Sequence, residues 1–548
     1  MEQMSKIAKY LNGHIIGEVS ARETRLKQFS TDRSFLKIQP ELVVYPRFSE
    51  DIQKIMRFSW QLAEKGHIFG VTARGYGGST DGSSIGRGII LDISRHLNKV
   101  KELDLRAKTV QVQAGANFQK LNLAIASQAM EIPQSPAGER LTVGGAIAMN
   151  LPSEKFNYGD LVNSVSEAEV ILSNGDIINI GKISRKELSE KIALSNFEGE
   201  IYRKIDTLIE DNYSLIQQID SDSSFGYSGI ANVKSEDGTF NLIPLFFGSL
   251  GTLGIITEAK IQTNYIINET NFMVVSFSNR DDARDFNDEI TKFTPDIVEL
   301  FDGKMFEAAV ASGKKYQFYL DRNSQNLATK LVLVVGISDK SAKKITSKIH
   351  KIEKIAKKFE GATVWIPEDD ERSKAELEAI RDVREILRAR SGVIKQEIYP
   401  IQGVYVPMER FETFYLGLQK LALQHSIPAP IQGSALTSIF EILAEFDFSK
   451  ISDRQKSLKF IADLGALLAK VDGEFAYGAG EGRIYGHFVA RNISEEDLEK
   501  IAGGRVGEEV ENIYLQIKDI FDPMHILNPG VKGRPNTKEL VKSVRNGK

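Results

Sequence analysis

The sequence predicts an α+β protein of at least two domains, and three observations carry that prediction. At 548 residues the chain is longer than one hydrophobic core sustains. Residues 36–265 read as short strands separated by glycine-rich loops. From about residue 271 strands and helices alternate, the texture of a second, α+β or α/β layer.

Composition narrows the function classes. The chain is 42% hydrophobic and 26% charged, as ordinary globular proteins are, and its net charge of -4 argues against a general nucleic-acid binder. With no cysteine there is no disulfide, iron–sulfur cluster, thiolate zinc site or cysteine nucleophile. No apolar signal-peptide core follows Met1-Glu2-Gln3-Met4-Ser5-Lys6. No stretch reaches the ~18 apolar residues that span a bilayer. A cytoplasmic setting is the expectation.

Residues 1–35 read as a helical lead-in with Ile7, Tyr10 and Leu11 at helical spacing. A strand over 41–46 stops at Pro46. Ser49 is placed to cap a helix that runs to Lys65 and ends at Gly66. The run Arg74-Gly75-Tyr76-Gly77-Gly78-Ser79-Thr80-Asp81-Gly82 comes next, between apolar 67–71 and a strand at 88–92. Its glycines allow left-handed dihedrals, so successive N–H groups can point into one concavity that holds a diphosphate. Thr109 to Ala114 alternates with period two, and Asn117 caps a helix through Ser127. Small residues at 141–150 let a backbone approach a flat ring, and Asn174-Gly175 turns a hairpin between 168–172 and 177–180. A second glycine-rich stretch, 246–258, runs into a strand. Beyond it, strands at 273–277, 297–301, 331–335 and 404–406 alternate with helices at 281–291, 342–359, 408–425 and 453–470.

Five motifs stand in order: the 74–82 loop; Pro133-Gln134-Ser135-Pro136; Leu141-Thr142-Val143-Gly144-Gly145-Ala146; Gly248-Ser249-Leu250-Gly251-Thr252-Leu253-Gly254-Ile255-Ile256; and Asp522-Pro523-Met524-His525-Ile526-Leu527-Asn528-Pro529-Gly530. In this order and spacing they resemble the vanillyl-alcohol oxidase superfamily, and within it the FAD-dependent D-lactate and glycolate dehydrogenases. The resemblance implies a p-cresol methylhydroxylase-type FAD-binding domain of two subdomains over 36–265 and an α+β cap (substrate) domain over 266–500. A segment at 501–530 would return to the FAD domain, before a basic tail at 531–548. It also implies cofactor contacts. Arg74, Gly75, Tyr76, Gly77, Gly78, Ser79 and Thr80 would hold the pyrophosphate. Pro136, Thr142, Gly144, Gly145, Ala148 and Asn150 would line the ring and phosphate side, Gly254, Ile255 and Ile256 would meet the flavin by backbone, and Asn528 would brace the domain. The 74–82 loop has no histidine, so FAD is expected to be held without a covalent bond there.

The implied activity is hydride transfer from a small, acidic 2-hydroxy acid, of D-lactate type, to flavin N5, with electrons passed to a quinone, cytochrome or other acceptor. The pattern departs from the family at the metal. The family's His-x-Gly-Asp-Gly-Asn-x-His is matched by Pro430-Ile431-Gln432-Gly433-Ser434-Ala435-Leu436-Thr437-Ser438-Ile439, without either histidine. Its Gly-Glu-His-Gly reads Gly480-Glu481-Gly482-Arg483. A two-imidazole metal site cannot be built, which keeps open an alcohol, a sugar lactone or an ether-lipid precursor as substrate. Glu481, Arg483, Tyr485 and His487 would share one face of a strand, with His487 as base and Arg483 as carboxylate clamp. Arg381, or Arg384, falls where the family binds the substrate carboxylate. The competing reading pairs these arginines, with Arg388 and Arg390, to Glu376, Glu378 and Glu385. Tyr405, on the cap strand, is a further candidate. The tail cations Lys532, Arg534, Lys538, Lys542, Arg545 and Lys548 are expected to form a solvated end, with loose contact to an anionic membrane as the alternative.

Overall fold

In the computed structural model, residues 6–136, 138, 140–221, 223, 225–266, 270–384, 401, 403–475, 481–488, 508–533 and 536–546 are described. Three larger sheets organise them, beside a two-stranded pairing of Met130–Glu131 with Asn264–Tyr265. In the first, Leu42–Tyr45 and Val71–Arg74 flank Ile89–Asp92 in parallel, with Glu18–Ser20 antiparallel at one edge. Leu42–Tyr45 and Ile89–Asp92 are buried throughout, which is why they read as unbroken apolar runs. The Val71–Arg74 edge is covered by the chain's far end: Val71 N donates to Ile526 O at 2.8 Å and Asn528 N donates to Val71 O at 2.8 Å.

The second sheet is antiparallel, in the order Phe240–Asn241, Ile177–Ile183, Val165–Ile171, Ile255–Gln262, Thr109–Gln113, Val100–Asp104. The Asn174-Gly175 hairpin falls where the sequence placed it, pairing Ile171 with Ile177, and Gly175 takes φ 86°. Asn117 Oδ1 accepts from Lys120 N as the predicted cap of Phe118–Ala126. Ser49 does not cap: its hydroxyl donates to Glu169 Oε1, and Asp51 accepts from the N–H groups of Ile16, Gly17 and Arg47.

The third sheet has eight antiparallel strands, in the order Thr363–Trp365, Thr270–Phe277, Leu331–Ser338, Ile297–Asp302, Ile431–Ser434, Ile439–Ile442, Val404–Tyr405, Glu474–Phe475. Met273, Val275, Val298, Leu300, Leu333 and Phe440 face helices Arg280–Thr291, Ala342–Ala356, Phe411–His425 and Ile451–Lys470, where they form the cap core. The opposite face begins with Val274, Val332 and Val334, packed against Phe306 and Ile380. Farther along it changes from apolar to polar, and there the functional cleft begins.

Two expectations about the termini are corrected. Residues 1–35 are not a continuous helical lead-in: helices Lys6–His14 and Glu23–Gln28 give way to an irregular stretch. Phe35, Leu36 and Ile38 from that stretch are buried in the cap core, with Phe35 stacked on Phe448 at 5.4 Å. Each such side chain contributes about 1.5–3 kcal/mol by leaving water. The tail is solvated only in part: Lys538 and Lys542 are exposed, Lys532 is buried, and Arg534 and Lys548 lie outside the described residues. Leu540 and Arg545 are buried, Arg545 Nε donates to Leu36 O at 2.9 Å, and Lys37 N donates to Ser543 O at 2.7 Å. The tail is cationic by count, but it docks because the 32–38 backbone needs donors. Among the described residues no helix is long and apolar enough to cross a membrane.

Candidate active site

A cleft of about 1440 Å³ runs from the 74–80 loop, past 133–156 and 249–256, to the polar face of the third sheet. That exceeds the ~300–1,000 Å³ typical of a small-ligand site and suits a dinucleotide with a substrate beside it.

The phosphate end follows from its backbone. Residues 75–80 all line the cleft, and none of their N–H groups is spent on a backbone carbonyl or side chain among the described residues. Gly77 takes φ 69° with the Arg74 guanidinium beneath it, so a Cβ fits neither the dihedral nor the space. Arg74 supports the loop from below: its guanidinium donates to Ser84 O at 3.2 Å and Thr31 O at 3.0 Å and lies over the Phe29 ring. Burial pulls its pKa down, and Asp32 and Asp92 work against that. Ser79 spends its hydroxyl on Asp81 and Ser83, leaving its N–H as the group that faces the cleft. A concavity of unspent N–H donors fits a pyrophosphate.

The long wall is built by close packing. Thr142 caps helix Val143–Met149 by accepting from Gly145 N at 3.1 Å. A Cβ on Gly75 would lie 2.5 Å from Thr142 Oγ1, and one on Gly254 2.6 Å from Val170 Cγ1. Pro136, Thr142, Gly144, Gly145, Ala148, Gly254, Ile255 and Ile256 line the cleft as expected of cofactor residues. Asn150 does not: it ends the helix in the left-handed conformation, φ 50°. Asn528 also acts from behind, donating from Nδ2 to Ser83 O and Leu250 O and accepting at Oδ1 from Thr72. It ties the phosphate loop to the second glycine stretch.

The cap wall was only partly legible in the sequence. Strand register places Glu299 opposite Ser434 and Phe301 opposite Gln432, and next places Ser434 opposite Ile439 and Gln432 opposite Glu441. All six point into the cleft. Arg381 reaches this face from helix Glu371–Arg381 and bonds Glu299 in bidentate fashion, Nε to Oε2 at 2.8 Å and Nη2 to Oε1 at 2.7 Å. Nη2 also donates to Glu154 Oε1 at 3.0 Å, leaving Nη1 without a partner among the described residues. Burial alone would lower the Arg381 pKa, but the bonds to Glu299 and the charges of Glu299 and Glu154 raise it overall. Arg384 Nη1 bonds Glu441 Oε2, which also accepts from Gln432 Nε2 at 3.2 Å. The partners expected from sequence were Glu376, Glu378 and Glu385; those found are Glu154, Glu299 and Glu441. Arg388, Arg390 and Glu385 lie outside the described residues, as do 478–480. Glu299 and Glu441 had one signal, an acid at the alternating phase of an otherwise apolar strand, whereas Glu154 stands on a bend and had none.

Residues 481–487 are not a strand. They form a turn followed by a 3₁₀ helix at Tyr485–His487, so the alternation that put them on one face does not exist. None of the four candidates there lines the cleft. Arg483 is a clasp: Nε donates to Gly82 O and Ile85 O, Nη1 to Pro529 O at 2.6 Å, and Nη2 to Asn528 Oδ1 at 3.0 Å. Glu481 Oε2 accepts from Gly226 N at 3.0 Å, and Tyr485 is fully buried, stacked on Phe475 at 5.4 Å. His487 follows on the same 3₁₀ turn, away from the cleft. Tyr405 also stands outside it. Among the described residues lining the cleft there is no histidine, and no group of three or more His, Cys, Asp or Glu is placed to hold a metal.

Comparison with known proteins agrees with this geometry. Residues 40–181 match the FAD binding domain family and residues 267–531 the C-terminal domain of FAD linked oxidases. A D-2-hydroxyglutarate dehydrogenase of Pseudomonas putida is 27% identical over 304 residues, covering 55% of this chain and 30% of that protein. The mitochondrial D-lactate dehydrogenase [cytochrome] of Kluyveromyces lactis is 25% identical over 520 residues, 91% of this chain and 75% of its own. The chain spans half or less of the length of the D-2-hydroxyglutarate dehydrogenases it matches. Among solved structures, the 4-ethylphenol oxidase of Gulosibacter chungangensis, in complex with isoeugenol, superposes with a TM-score of 0.67 at 15% identity, covering 98% of this chain and 99% of its own.

Proposed function

Because the chain carries an FAD-binding domain followed by the C-terminal domain of FAD-linked oxidases, we propose that it is an oxidoreductase that oxidises a small 2-hydroxy acid of D-lactate type. FAD, when bound, supplies the two-electron acceptor for the substrate's C–H hydrogen. The 74–80 loop would hold its pyrophosphate, without a covalent bond. The observation that carries the substrate reading is Arg381. Glu299 fixes its guanidinium through Nε and Nη2, Nη2 also meets the 42%-exposed Glu154, Nη1 has no partner among the described residues, and Arg381 lines the cleft. A substrate carboxylate would replace Glu154 on the Nη1–Nη2 edge in a charge-assisted pair. The relatives that are named D-2-hydroxyglutarate and D-lactate dehydrogenases support the same class. Electrons then leave to a separate acceptor such as a quinone or cytochrome.

A second reading, an uncharged alcohol, sugar lactone or ether-lipid precursor, is favoured by one observation: both cap-wall arginines are already balanced by carboxylates. Anaerobic mixing separates the two. D-lactate, D-2-hydroxyglutarate or glycolate should bleach the flavin absorbance within seconds. Bleaching by alcohols or sugars alone would replace the first reading with the second.

A further inference from the structure

We propose that Glu441 accepts the substrate's hydroxyl proton in this oxidation. The proposal rests on the 2-hydroxy-acid reading for its substrate and on the cleft wall for its residue. A base must reach the reacting hydroxyl and present a lone pair that nothing else occupies. No histidine is among the described residues of the wall, so the proton must go elsewhere. The acids that line the cleft differ in what their oxygens do. Both oxygens of Glu299 are taken by Arg381. Glu154 is spent on the same guanidinium, and Glu131 is paired with Lys155 at 3.1 Å. Glu378 and Asp382 are exposed. Glu441 is different. Its Oε2 is fixed by Arg384 and by Gln432, while Oε1 has no hydrogen-bond partner among the described residues. Its side chain is 28% exposed, on the same sheet face as the Glu299–Arg381 anchor, with strand Ile431–Ser434 lying between the two. One oxygen is held and the other is offered, and that is the arrangement a positioned base needs.

The step balances with FAD as oxidant. The O–H bond of the substrate breaks and its proton passes to Glu441 Oε1. The C–H bond would break with its electron pair, which bound FAD would accept together with the hydrogen, and the C–O bond would become C=O. Arg384 and Gln432 keep Oε2 in place throughout.

The test uses the FAD-loaded protein and its E441Q variant, which keeps shape and removes the basic oxygen. Anaerobic bleaching by the substrate should slow by about 10²–10⁴-fold, the usual contribution of a general base. FAD content and the visible spectrum should stay as in wild type. A measurement without turnover stands beside it: calorimetric binding of oxalate, whose second carboxylate would face Glu441 and be repelled by its charge, so E441Q should bind oxalate about threefold or more tighter than wild type. E441Q bleaching at the wild-type rate, or binding oxalate no tighter, overturns the proposal. Failure of the substrate reading looks different: no 2-hydroxy acid would bleach even the wild-type flavin.

Discussion

Replacing Arg483 with alanine tests whether this arginine is a structural clasp or a substrate clamp. Its guanidinium bonds four acceptors: the carbonyls of Gly82, Ile85 and Pro529, and Asn528 Oδ1. It thereby joins the end of the phosphate loop to the C-terminal return. Hydrogen bonds to a charged donor are worth about 1.5–3 kcal/mol each, so four would sum to about 6–12 kcal/mol. Burial works against that sum, since it pulls the Arg483 pKa down to about 10. The variant also admits some water to the orphaned carbonyls. A net loss of about 3–5 kcal/mol is expected, the range for breaking a buried charged network. Urea titration followed by flavin fluorescence reads it, as FAD release at lower urea. Arg483→Lys should recover less than half of the shift, because an ammonium cannot span four acceptors arranged for a planar fork. The Michaelis constant of FAD-loaded R483A for a 2-hydroxy acid should stay within about twofold of wild type. An unchanged urea midpoint together with a tenfold higher Michaelis constant would refute the clasp and restore the clamp.

Arg381→Ala should raise the Michaelis constant about 10–100-fold for an acidic substrate, from the loss of ~1.5–3 kcal/mol of charge-assisted bonding, with little change for an uncharged alcohol. Glu154→Gln should do the reverse and tighten binding of a monocarboxylate about two- to fivefold, since it removes a competitor worth ~0.5–1 kcal/mol; steady-state kinetics at low salt reads both. Gly77→Ala should cut FAD affinity at least tenfold by equilibrium dialysis, because the new Cβ meets the Arg74 guanidinium at a left-handed dihedral. Burial pushes the Glu474 carboxyl up to about 7, Ser223 opposes this, and Asp220 and Glu481 reinforce it. Its folded pKa lies above the unfolded value, so the folded state holds the extra proton between about 4.5 and 7 and stability falls as pH rises through that window, by about 3 kcal/mol in all. Glu474→Gln should therefore raise the melting temperature at pH 8 and leave it nearly unchanged at pH 5.

What could be read from the chain alone was whatever local chemistry enforces. A glycine run between two strands must turn and offer its N–H groups, so the 74–82 nest was legible, as were the Asn174-Gly175 hairpin and the Asn117 cap. The motif order carried the fold and the FAD. What the chain alone could not decide were pairings between distant segments. Arg381 meets Glu154 and Glu299, at separations of 227 and 82 residues, because helix Glu371–Arg381 crosses one particular sheet face. The strand read over 481–487 failed because period two in a short polar stretch does not distinguish a strand from a turn with a 3₁₀ helix, and only burial against Gly82 and Asn528 selects the latter. The basic tail looked solvated because charge count ignores partners, whereas Arg545 lies where the 32–38 backbone needs its donors. Local sequence set the glycine-rich half of the cleft; the packing of the third sheet against it set the other half, because side chains there belong to strands and helices that meet only in the folded chain.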